Sequence, residues 1–484
     1  MATAAAIDPR QPTGLLFDAG FEQPNADLVV RSPYSGEELA RVAMASPEDV
    51  DRAVAIAAGH LPAPPPAERA AVLERAARLI AGRAEPLART IAAEAGKPIR
   101  QARGEAARAV DTFTFAAVAA RRLAGEVVPM EASAAGVGKL ALTLREPVGV
   151  IGAISPFNFP LNLVAHKLAP AIAAGCPVVL KPAEATPLSA LALAGILLEA
   201  GLPPGSLCLV NGSGSVVGRA IVDHPDVAMI SFTGSAPVGW DIRVRAPRKH
   251  VALELGNSTP VIVTADADID NAAARIAASA FTHAGQSCIS VQRVYVERAA
   301  HEALLEALVP RVEALVVGDP MEEETDVGPV ITPEARERVL AWIGEATAGG
   351  ARVVTGGDVV DGMIRPTVVD GLRPEMRLSC EEAFGPVAGM AAYDTADEAV
   401  ELANGTPFGL QAGIFTGRVD RALRLAERLR FGGVVINETP TFRADQMPYG
   451  GVKESGNTRE GPPFAVLSMT EPKLVVVDLP DGTD

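Results

Sequence analysis

From residue 148 onward, short apolar runs typical of β-strands alternate with runs of helical character, and this order constrains the fold most strongly. The predicted strands are Val148–Ile154, Pro177–Leu180, Leu207–Val210 and Met229–Phe232, and the predicted helices between them are Leu161–Ala174, Leu188–Ala200 and Val216–Asp223. Such alternation is typical of a parallel sheet covered by helices on both faces. A second alternation begins near Val251 and runs to about residue 435, so the sequence predicts an α/β fold.

The regions on either side of this alternation have a different character. Residues 47–124 show apolar positions at helical spacing, with Ser46 and Asp49 at the expected helix start. Apolar and polar residues alternate over 139–145, which predicts that residues 125–146 form a strand pair. The last predicted strand, Lys473–Asp478, lies beyond a segment rich in glycine and proline, so we expect it to pack away from its sequence neighbours.

The composition argues against several classes of protein. Hydrophobic residues make up 48% of the 484 residues, which is far too many for a disordered chain. The formal net charge of −16 argues against a nucleic-acid partner, because phosphate backbones are bound by clustered lysine and arginine. The most apolar stretch, residues 148–180, is interrupted by Asn158, Asn162, His166 and Lys167, so we expect no membrane span.

The cysteines and the N-terminus bear on cellular location. Cys176, Cys208, Cys288 and Cys380 are widely spaced and form no CxxC pair, so neither a disulfide framework nor a metal site is predicted. Residues 1–12 contain no basic segment followed by an apolar run, which predicts no secretory signal. Both patterns indicate a reducing, cytoplasmic location.

Cys288 is a candidate nucleophile. It lies between Gly285 and a predicted strand at residues 291–296, in a turn where its sulfur can face a cleft. A cysteine attacks as the thiolate, once a base or a lowered pKa activates it. The alternative is a buried structural cysteine, which we expect for Cys176 and Cys208 because both lie in apolar runs.

Glu254 and Asn158 are candidate partners of this cysteine. Glu254 ends an apolar run, where burial would raise the pKa of its carboxyl and suit it to act as a general base. The alternative is an exposed glutamate on a strand. Asn158 lies between Pro156 and Pro160, which fix the backbone so that its amide can donate to an oxyanion. The alternative is a loop asparagine that caps the following helix.

Three segments after predicted strands have the character of a nucleotide site. Residues 212–218 (Gly-Ser-Gly-Ser-Val-Val-Gly) form a glycine-rich turn with one residue too many for GxGxxG. Residues 232–239 (Phe-Thr-Gly-Ser-Ala-Pro-Val-Gly) open a predicted helix whose free amides would suit a pyrophosphate. Residues 181–184 (Lys-Pro-Ala-Glu) offer a cation and a carboxylate. Each alone could be an ordinary turn, but their place at carboxyl ends of consecutive strands favours a dinucleotide site.

Seven motifs in register resemble those of the aldehyde dehydrogenase superfamily over essentially the whole chain. They are Pro156–Pro160 (PFNFP), Lys181–Glu184 (KPAE), Phe232–Ser235 (FTGS), Glu254–Gly256 (ELG), Gly285–Cys288 (GQSC), Glu382–Pro386 (EAFGP) and Pro448–Lys453 (PYGGVK). The resemblance implies a Rossmann-type cofactor domain (1–124 and 145–253), an α/β catalytic domain (254–448) and a small β oligomerisation element (125–144 and 464–484). It also implies a homodimer or a homotetramer.

The resemblance implies that the chain oxidises an aldehyde to a carboxylic acid, with NAD or alternatively NADP as the cofactor. Cys288 would attack the aldehyde, while the side-chain amide of Asn158 and the backbone N–H of Cys288 hold the oxyanion. Hydride transfer to the nicotinamide would leave a thioester on Cys288. Glu254 would then activate the water that hydrolyses this thioester.

The resemblance also implies which residues bind the cofactor. Lys181 and Glu184 are expected at the adenosine ribose, and the Glu184 carboxylate favours NAD because it would repel a 2′-phosphate. Glu382 is expected at the nicotinamide ribose and Phe384 near the nicotinamide. The other residues expected to bind or line the cofactor are Ser155, Pro156, Phe157, Gly214, Thr233, Gly234, Ser235, Val238, Gly239 and Leu255.

Phe157 and Asn257 depart from the commonest family pattern. At both positions the chain resembles the branch that contains lactaldehyde and nonphosphorylating glyceraldehyde-3-phosphate dehydrogenases. Ser287 stands directly before the nucleophile, where phosphate-specific relatives typically carry arginine, so a small hydroxy-aldehyde or a semialdehyde is expected instead. The residues expected to line the substrate are Asn162, His166, Ser287, Ile289, Phe442 and Arg443.

Arg443 is open to two interpretations. An arginine suits bidentate contact with a carboxylate or a sulfonate, so it could anchor an anionic substrate. The alternative is a structural ion pair with Asp445 or Glu438.

Three other functions compete with this assignment. An acylating dehydrogenase would pass the thioester to coenzyme A, but such enzymes commonly lack the glutamate base that Glu254 would supply. A cysteine hydrolase or acyltransferase would pair Cys288 with a histidine such as His283, but it would leave the cofactor motifs unexplained. A non-catalytic scaffold would have no use for Cys288, Glu254 and Asn158 together.

Overall fold

The computed structural model describes residues 12–24 and 28–479. Its strands are β1 Leu15–Phe17, β2 Gly20–Glu22, β3 Leu28–Arg31, β4 Glu38–Val42, β5 Val127–Val128, β6 Lys139–Pro147, β7 Val150–Ile154, β8 Val178–Lys181, β9 Leu207–Leu209, β10 Val227–Thr233, β11 His250–Glu254, β12 Thr259–Val263, β13 Val291–Glu297, β14 Arg352–Thr355, β15 Val359–Val360, β16 Met363–Ile364, β17 Thr367–Asp370, β18 Val387–Tyr393, β19 Gln411–Phe415, β20 Gly433–Ile436 and β21 Thr470–Asp478. Its helices are α1 Pro47–Ala58, α2 Pro66–Gly82, α3 Ala84–Ala95, α4 Ile99–Arg122, α5 Asn162–Ala174, α6 Leu188–Glu199, α7 Arg219–Asp223, α8 Ala236–Arg245, α9 Ile269–Ala280, α10 His301–Glu313, α11 Pro333–Ala348, α12 Arg377–Cys380, α13 Ala396–Asn404, α14 Val419–Arg428 and α15 Pro462–Ser468.

The first sheet has the strand order β11-β10-β7-β8-β9-β1-β2. Its strands β7 to β11 are parallel, and β1 and β2 add an antiparallel edge. The predicted strands and helices between residues 148 and 232 are confirmed, with ends that differ by up to two residues except at the predicted helix Val216–Asp223. There a short π-helical segment, Gly214–Gly218, precedes α7. Strands β1 to β4 were not predicted, because runs of three to five residues carry too little periodicity.

The second sheet has the order β14-β17-β18-β13-β12-β19-β20 and is parallel except for β14. The prediction that the second alternation begins near Val251 is wrong, because Val251 belongs to β11 at the edge of the first sheet. The chain crosses between the sheets at residues 255–258, where the amide of Leu255 donates to the carbonyl of Ser455 at 3.0 Å. The first strand of the second sheet is therefore β12.

Helices α1 to α4 confirm the helical prediction for residues 47–124. Ser46 and Asp49 form a reciprocal capping box at the start of α1, which satisfies amides that the helix leaves unpaired. Helix α4 carries a buried ion pair between Glu105 and Lys97. The other carboxylate oxygen of Glu105 accepts from the amides of Leu161 at 2.9 Å and Asn162 at 3.1 Å. Glu105 thus caps α5 and fixes the loop that carries Asn158.

A third, antiparallel sheet has the order β21-β6-β5. It confirms the strand pair predicted in residues 125–146, and β21 pairs with β6 along its full length, far from its sequence neighbours. Leu144, Leu474 and Val476 are exposed on this sheet. Residues 464–468, expected in the same element, belong to α15 and pack against α4 and α5. Within 12–24 and 28–479, no helix is both long and apolar enough to cross a membrane.

Candidate active site

A cleft of about 1080 Å³ lies where the two sheets meet. Strand register pairs Ile154 with Lys181 and with Phe232, and Thr233 with Glu254, at the carboxyl edge of the first sheet. Cys288 enters the cleft from the second sheet, just before β13. The residues that line the cleft are Pro156, Phe157, Asn158, Leu163, Ala183, Thr233, Gly234, Ser235, Glu254, Leu255, Gly256, Cys288, Arg338, Glu382 and Phe384. The three predicted catalytic residues therefore share one cleft.

The turn that carries Cys288 has a strained backbone. His283 and Ala284 have φ values of 50° and 52°, in the left-handed region that side chains disfavour. Gly285 follows at φ 70°, where a Cβ would lie 2.0 Å from the carbonyl oxygen of Gly385. Such strain persists only where the surrounding structure holds the backbone in place. Here it directs the chain so that Cys288 faces the cleft.

Cys288 differs from the structural cysteines in its exposure. Its side chain is half-buried and its sulfur lies 3.0 Å from the hydroxyl oxygen of Tyr449. Burial raises the pKa of the Cys288 thiol to about 12, while the contact with Tyr449 lowers it. Cys176 and Cys208 are buried among apolar residues, as expected, and burial raises the pKa of their thiols to about 11 and about 12.

Glu254 is the last residue of β11 and is 4% exposed. Among the described residues, neither of its carboxylate oxygens has a hydrogen-bond partner. Burial raises the pKa of this carboxyl well above its usual range, and the carboxylate of Glu460 adds to the shift. Arg443 and Lys167 act in the opposite direction. A buried carboxyl without a partner suits proton transfer better than structural support.

Asn158 does not cap α5, which excludes the alternative interpretation of this residue. The cap of α5 is Leu161, and Glu105 binds the first amides of the helix. The amide nitrogen of Asn158 instead donates to the carbonyl of Gln286 at 3.0 Å, two residues before Cys288. This bond ties the Asn158 loop to the Cys288 turn and uses one of the two amide protons.

Several predicted cofactor residues offer groups that fit a dinucleotide. Glu382 accepts from the amide of Asn257 at 2.9 Å, and burial raises the pKa of its carboxyl to about 7. Gly256 lets this carboxylate approach, because a Cβ there would lie 2.2 Å from it. The buried hydroxyl of Ser155 has no partner among the described residues, and no side chain caps the start of α8 at Ser235. Free amides at a helix start suit a pyrophosphate.

Other predicted cofactor residues lie at or beyond the rim of the cleft. Lys181 is buried at the end of β8, and the exposed Glu184 accepts from the amide of Gly214 at 3.1 Å. Gly239 packs against Leu255 rather than lining the cleft, since a Cβ would lie 2.4 Å from that side chain. Val238 is exposed. Phe157 and Phe384, in contrast, line the cleft and make an edge-to-face contact with ring centroids 5.9 Å apart.

Asp445 contacts two of the predicted substrate residues, Asn162 and His166. One of its oxygens lies 2.8 Å from Nε2 of His166, accepts from Asn162 at 3.2 Å and pairs with Arg108 at 2.8 Å. The structure thus brings Asn162 and His166 together through a carboxylate. Ser287 and Ile289 are buried on either side of Cys288, and Phe442 is exposed.

The predicted ion-pair partners of Arg443 are wrong. Asp445 pairs with Arg108 and Glu438 pairs with Arg275. Arg443 instead pairs with the buried Glu460 at 2.7 Å. Its guanidinium carbon lies 3.8 Å from the ring centroid of Tyr449. The Nε atom of Arg443 is buried and has no partner among the described residues.

Sequence reasoning missed three buried residues around this site. Lys167 lies one residue after His166 and donates to the hydroxyls of Thr233 at 2.7 Å and Ser231 at 3.2 Å. Glu460 pairs with Arg443 and acts on the charge of Glu254, and Tyr449 contacts Cys288. The motif Pro448–Lys453 contains Tyr449, but only the fold brings its hydroxyl to the sulfur.

Over residues 12–24 and 28–479, no cluster of three or more histidine, cysteine, aspartate or glutamate side chains is arranged to hold a metal ion.

A half-buried cysteine, a buried carboxyl and the uncapped start of α8 share this cleft, an arrangement that fits an oxidoreductase with a dinucleotide cofactor. Residues 21–475 match the aldehyde dehydrogenase family, and the chain belongs to that family. As a member it is an NAD(P)-dependent aldehyde dehydrogenase. These similarities give no support to a cysteine hydrolase or to a coenzyme A-dependent enzyme.

The similar proteins have related activities. The 3-sulfolactaldehyde dehydrogenase of Priestia aryabhattai is 43% identical over 467 residues, covering 96% of this chain and 98% of that one. Aldehyde dehydrogenase 21 of Physcomitrella patens, solved with the reaction product succinate, has a TM-score of 0.94 and 40% identity, covering 99% of this chain and 100% of that one. Glyceraldehyde-3-phosphate dehydrogenase of Methanocaldococcus jannaschii, solved with NADP, has a TM-score of 0.90 and 39% identity, covering 94% and 100%.

Proposed function

We propose that this chain oxidises a small hydroxy-aldehyde or semialdehyde to its carboxylic acid through a covalent thioester on Cys288. The observation that carries the proposal is the meeting of Cys288, Glu254 and Asn158 in one cleft between the two sheets. The cleft also holds the carboxylate of Glu382 and the start of α8, which suit a dinucleotide. NAD(P)⁺, when bound there, supplies the hydride acceptor.

The proposed reaction has two halves, formation of the thioester and its hydrolysis. The Cys288 sulfur attacks the aldehyde carbon, and the negative oxygen is held by the free amide proton of Asn158 and the backbone N–H of Cys288. Loss of hydride converts the adduct into a thioester. Glu254 then takes a proton from water as the water attacks the acyl carbon, and the carbon–sulfur bond breaks to release the acid.

The chemistry of the substrate is supported by the surroundings of Cys288 and by the relatives. Ser287 offers no charge for a phosphate beside the nucleophile. Arg443 pairs with Glu460 but its buried Nε–H has no partner among the described residues, so we propose that a short carboxylate or sulfonate that reached it would find one unused donor. The names of two relatives, which refer to sulfolactaldehyde and succinate, agree with a short substrate that carries an anionic group.

Cofactor preference is proposed to follow from Glu184. Its exposed carboxylate holds the Gly214 turn and would repel a 2′-phosphate, which favours NAD over NADP.

The assembly is proposed to be a homodimer or a homotetramer. Exposed Leu144 lies on one face of the third sheet and exposed Leu474 and Val476 lie on the other. Exposed apolar side chains on so small a sheet are normally covered by a partner. We propose residues 1–124 and 145–253 as the cofactor domain, 254–448 as the catalytic domain, and 125–144 with β21 as the oligomerisation element. A cytoplasmic location is proposed because a nucleophilic thiol must stay reduced.

A substrate panel tests the proposed specificity. Lactaldehyde, glycolaldehyde, succinate semialdehyde, sulfolactaldehyde and glyceraldehyde-3-phosphate would each be assayed with NAD and with NADP by NADH or NADPH absorbance. We expect kcat/KM for the best unphosphorylated member to exceed that for the phosphorylated one by about tenfold or more, because no arginine precedes Cys288. A strong preference for glyceraldehyde-3-phosphate would overturn the argument from Ser287. Added coenzyme A is expected to leave the rates unchanged.

A further inference from the structure

Tyr449 touches the reacting sulfur. Its hydroxyl oxygen lies 3.0 Å from Sγ of Cys288, and the residue is 3% exposed. Its backbone is fixed by a two-way bridge with Glu460: the amide of Tyr449 donates at 3.2 Å and the amide of Glu460 donates back at 2.6 Å. The backbone that carries the phenol is therefore fixed, and the phenol itself contacts the sulfur.

The surroundings of Tyr449 keep its hydroxyl protonated, so that it can donate a hydrogen bond. Burial, together with the neighbouring Cys288, raises the pKa of the phenol well above its usual range, so it stays protonated. The guanidinium of Arg443 stacks on the ring at 3.8 Å. A cation over the face of a phenol draws electron density from it, which makes the hydroxyl a stronger hydrogen-bond donor.

The sulfur needs such a donor. The titratable and charged groups that act on Cys288 are Tyr449, Glu382, Arg443 and Glu254. Burial and the carboxylates of Glu382 and Glu254 disfavour a thiolate, while Tyr449 and Arg443 favour it. Because a hydrogen bond to a charged atom is stronger than one to a neutral atom, the phenol stabilises the sulfur most when it is ionised.

We propose that Tyr449 is a catalytic hydrogen-bond donor to the Cys288 sulfur. It donates to the thiolate before the carbon–sulfur bond forms, and again when that bond breaks and the sulfur leaves as a thiolate. This role rests on the proposed function of Cys288 as the nucleophile. It assigns a use to the tyrosine of the Pro448–Lys453 motif, where a phenylalanine would fill the same space without a donor.

Replacing Tyr449 with phenylalanine tests this role without any need for turnover. The rate at which iodoacetamide alkylates Cys288 would be followed between pH 7 and pH 9 by mass spectrometry of the Cys288 peptide. We expect Tyr449→Phe to lower this rate about three- to tenfold. Loss of one charge-assisted hydrogen bond should raise the pKa of the Cys288 thiol by about one unit or more, which lowers the fraction of thiolate. The more basic thiolate is also more nucleophilic, and this offsets part of the loss in rate.

Tyr393→Phe is the matched control. It removes a buried phenol hydroxyl that donates to the carbonyl of Val263 at 3.2 Å, away from the cleft, and should leave the alkylation rate unchanged. An unchanged or faster rate in Tyr449→Phe would overturn the proposal.

A second variant keeps the proposal testable if the Tyr449→Phe protein does not fold. Fluorotyrosine at position 449 keeps the ring and is a stronger donor, so it should raise the alkylation rate where phenylalanine lowers it. No change with fluorotyrosine would also overturn the proposal. These readouts are independent of the proposed reaction, since they report the ionisation of Cys288 even in a protein that does not turn over aldehydes.

Discussion

Replacing Cys288 with alanine is expected to lower NADH production by about 10³-fold or more with every aldehyde, because no other thiol is among the described residues that line the cleft. The side chain is half-buried and makes a single side-chain hydrogen bond in the described structure, so its loss should leave the fold intact. Turnover would be measured by absorbance, and cofactor binding by calorimetry should be retained.

Cys380→Ala is the matched control for this variant. Cys380 is the other half-buried cysteine, at the end of α12, outside the residues that line the cleft. We expect its replacement to leave turnover unchanged. Wild-type-like turnover in Cys288→Ala would overturn the mechanism, while loss of turnover in Cys380→Ala alone would point to a different nucleophile.

Replacing Glu254 with glutamine is expected to separate the two halves of the reaction. The thioester should still form, giving a burst of about one NADH per active site, and the following steady rate should fall by about 10²- to 10⁴-fold because no base activates the water. Stopped-flow absorbance would resolve the two phases.

The pH dependence follows from the buried carboxyl of Glu254. Burial is the main cause of its raised pKa and the carboxylate of Glu460 adds to the shift. Only the deprotonated form is a base. The steady rate of the wild type should therefore rise with pH through a range above the usual one for glutamate, and this limb should disappear in Glu254→Gln. Glu302→Gln, an exposed change on α10, should alter neither phase. An unchanged steady rate in Glu254→Gln would remove Glu254 from the mechanism.

Sequence periodicity predicted the fold where elements are long or regularly spaced. Strands β7 to β10 and helices α5 and α6 were found because apolar runs and helical spacing are local properties. The boundary at Val251 was wrong because the apolar runs of β11 and β12 look alike in sequence, and only pairing assigns them to different sheets.

The motifs predicted residues that line the cleft, but not the ion pair and the side-chain contact beside it. Glu254 and Cys288 stand in short motifs that can be read locally. Arg443, in contrast, meets Glu460 only because the loop between β20 and α15 doubles back, so both predicted partners were wrong. The contact of Tyr449 with Cys288 joins residues 161 positions apart, and no local pattern signals it.

Detection of the acyl-enzyme tests whether the thioester forms on Cys288. Glu254→Gln would be mixed with NAD and lactaldehyde or succinate semialdehyde, quenched in acid within the burst phase, digested and analysed by mass spectrometry. We expect the mass of the acyl group on the peptide that contains Cys288, in an amount equal to the NADH formed in the burst. Equal NADH with an unmodified Cys288 peptide, or with the acyl group on another residue, would contradict this expectation.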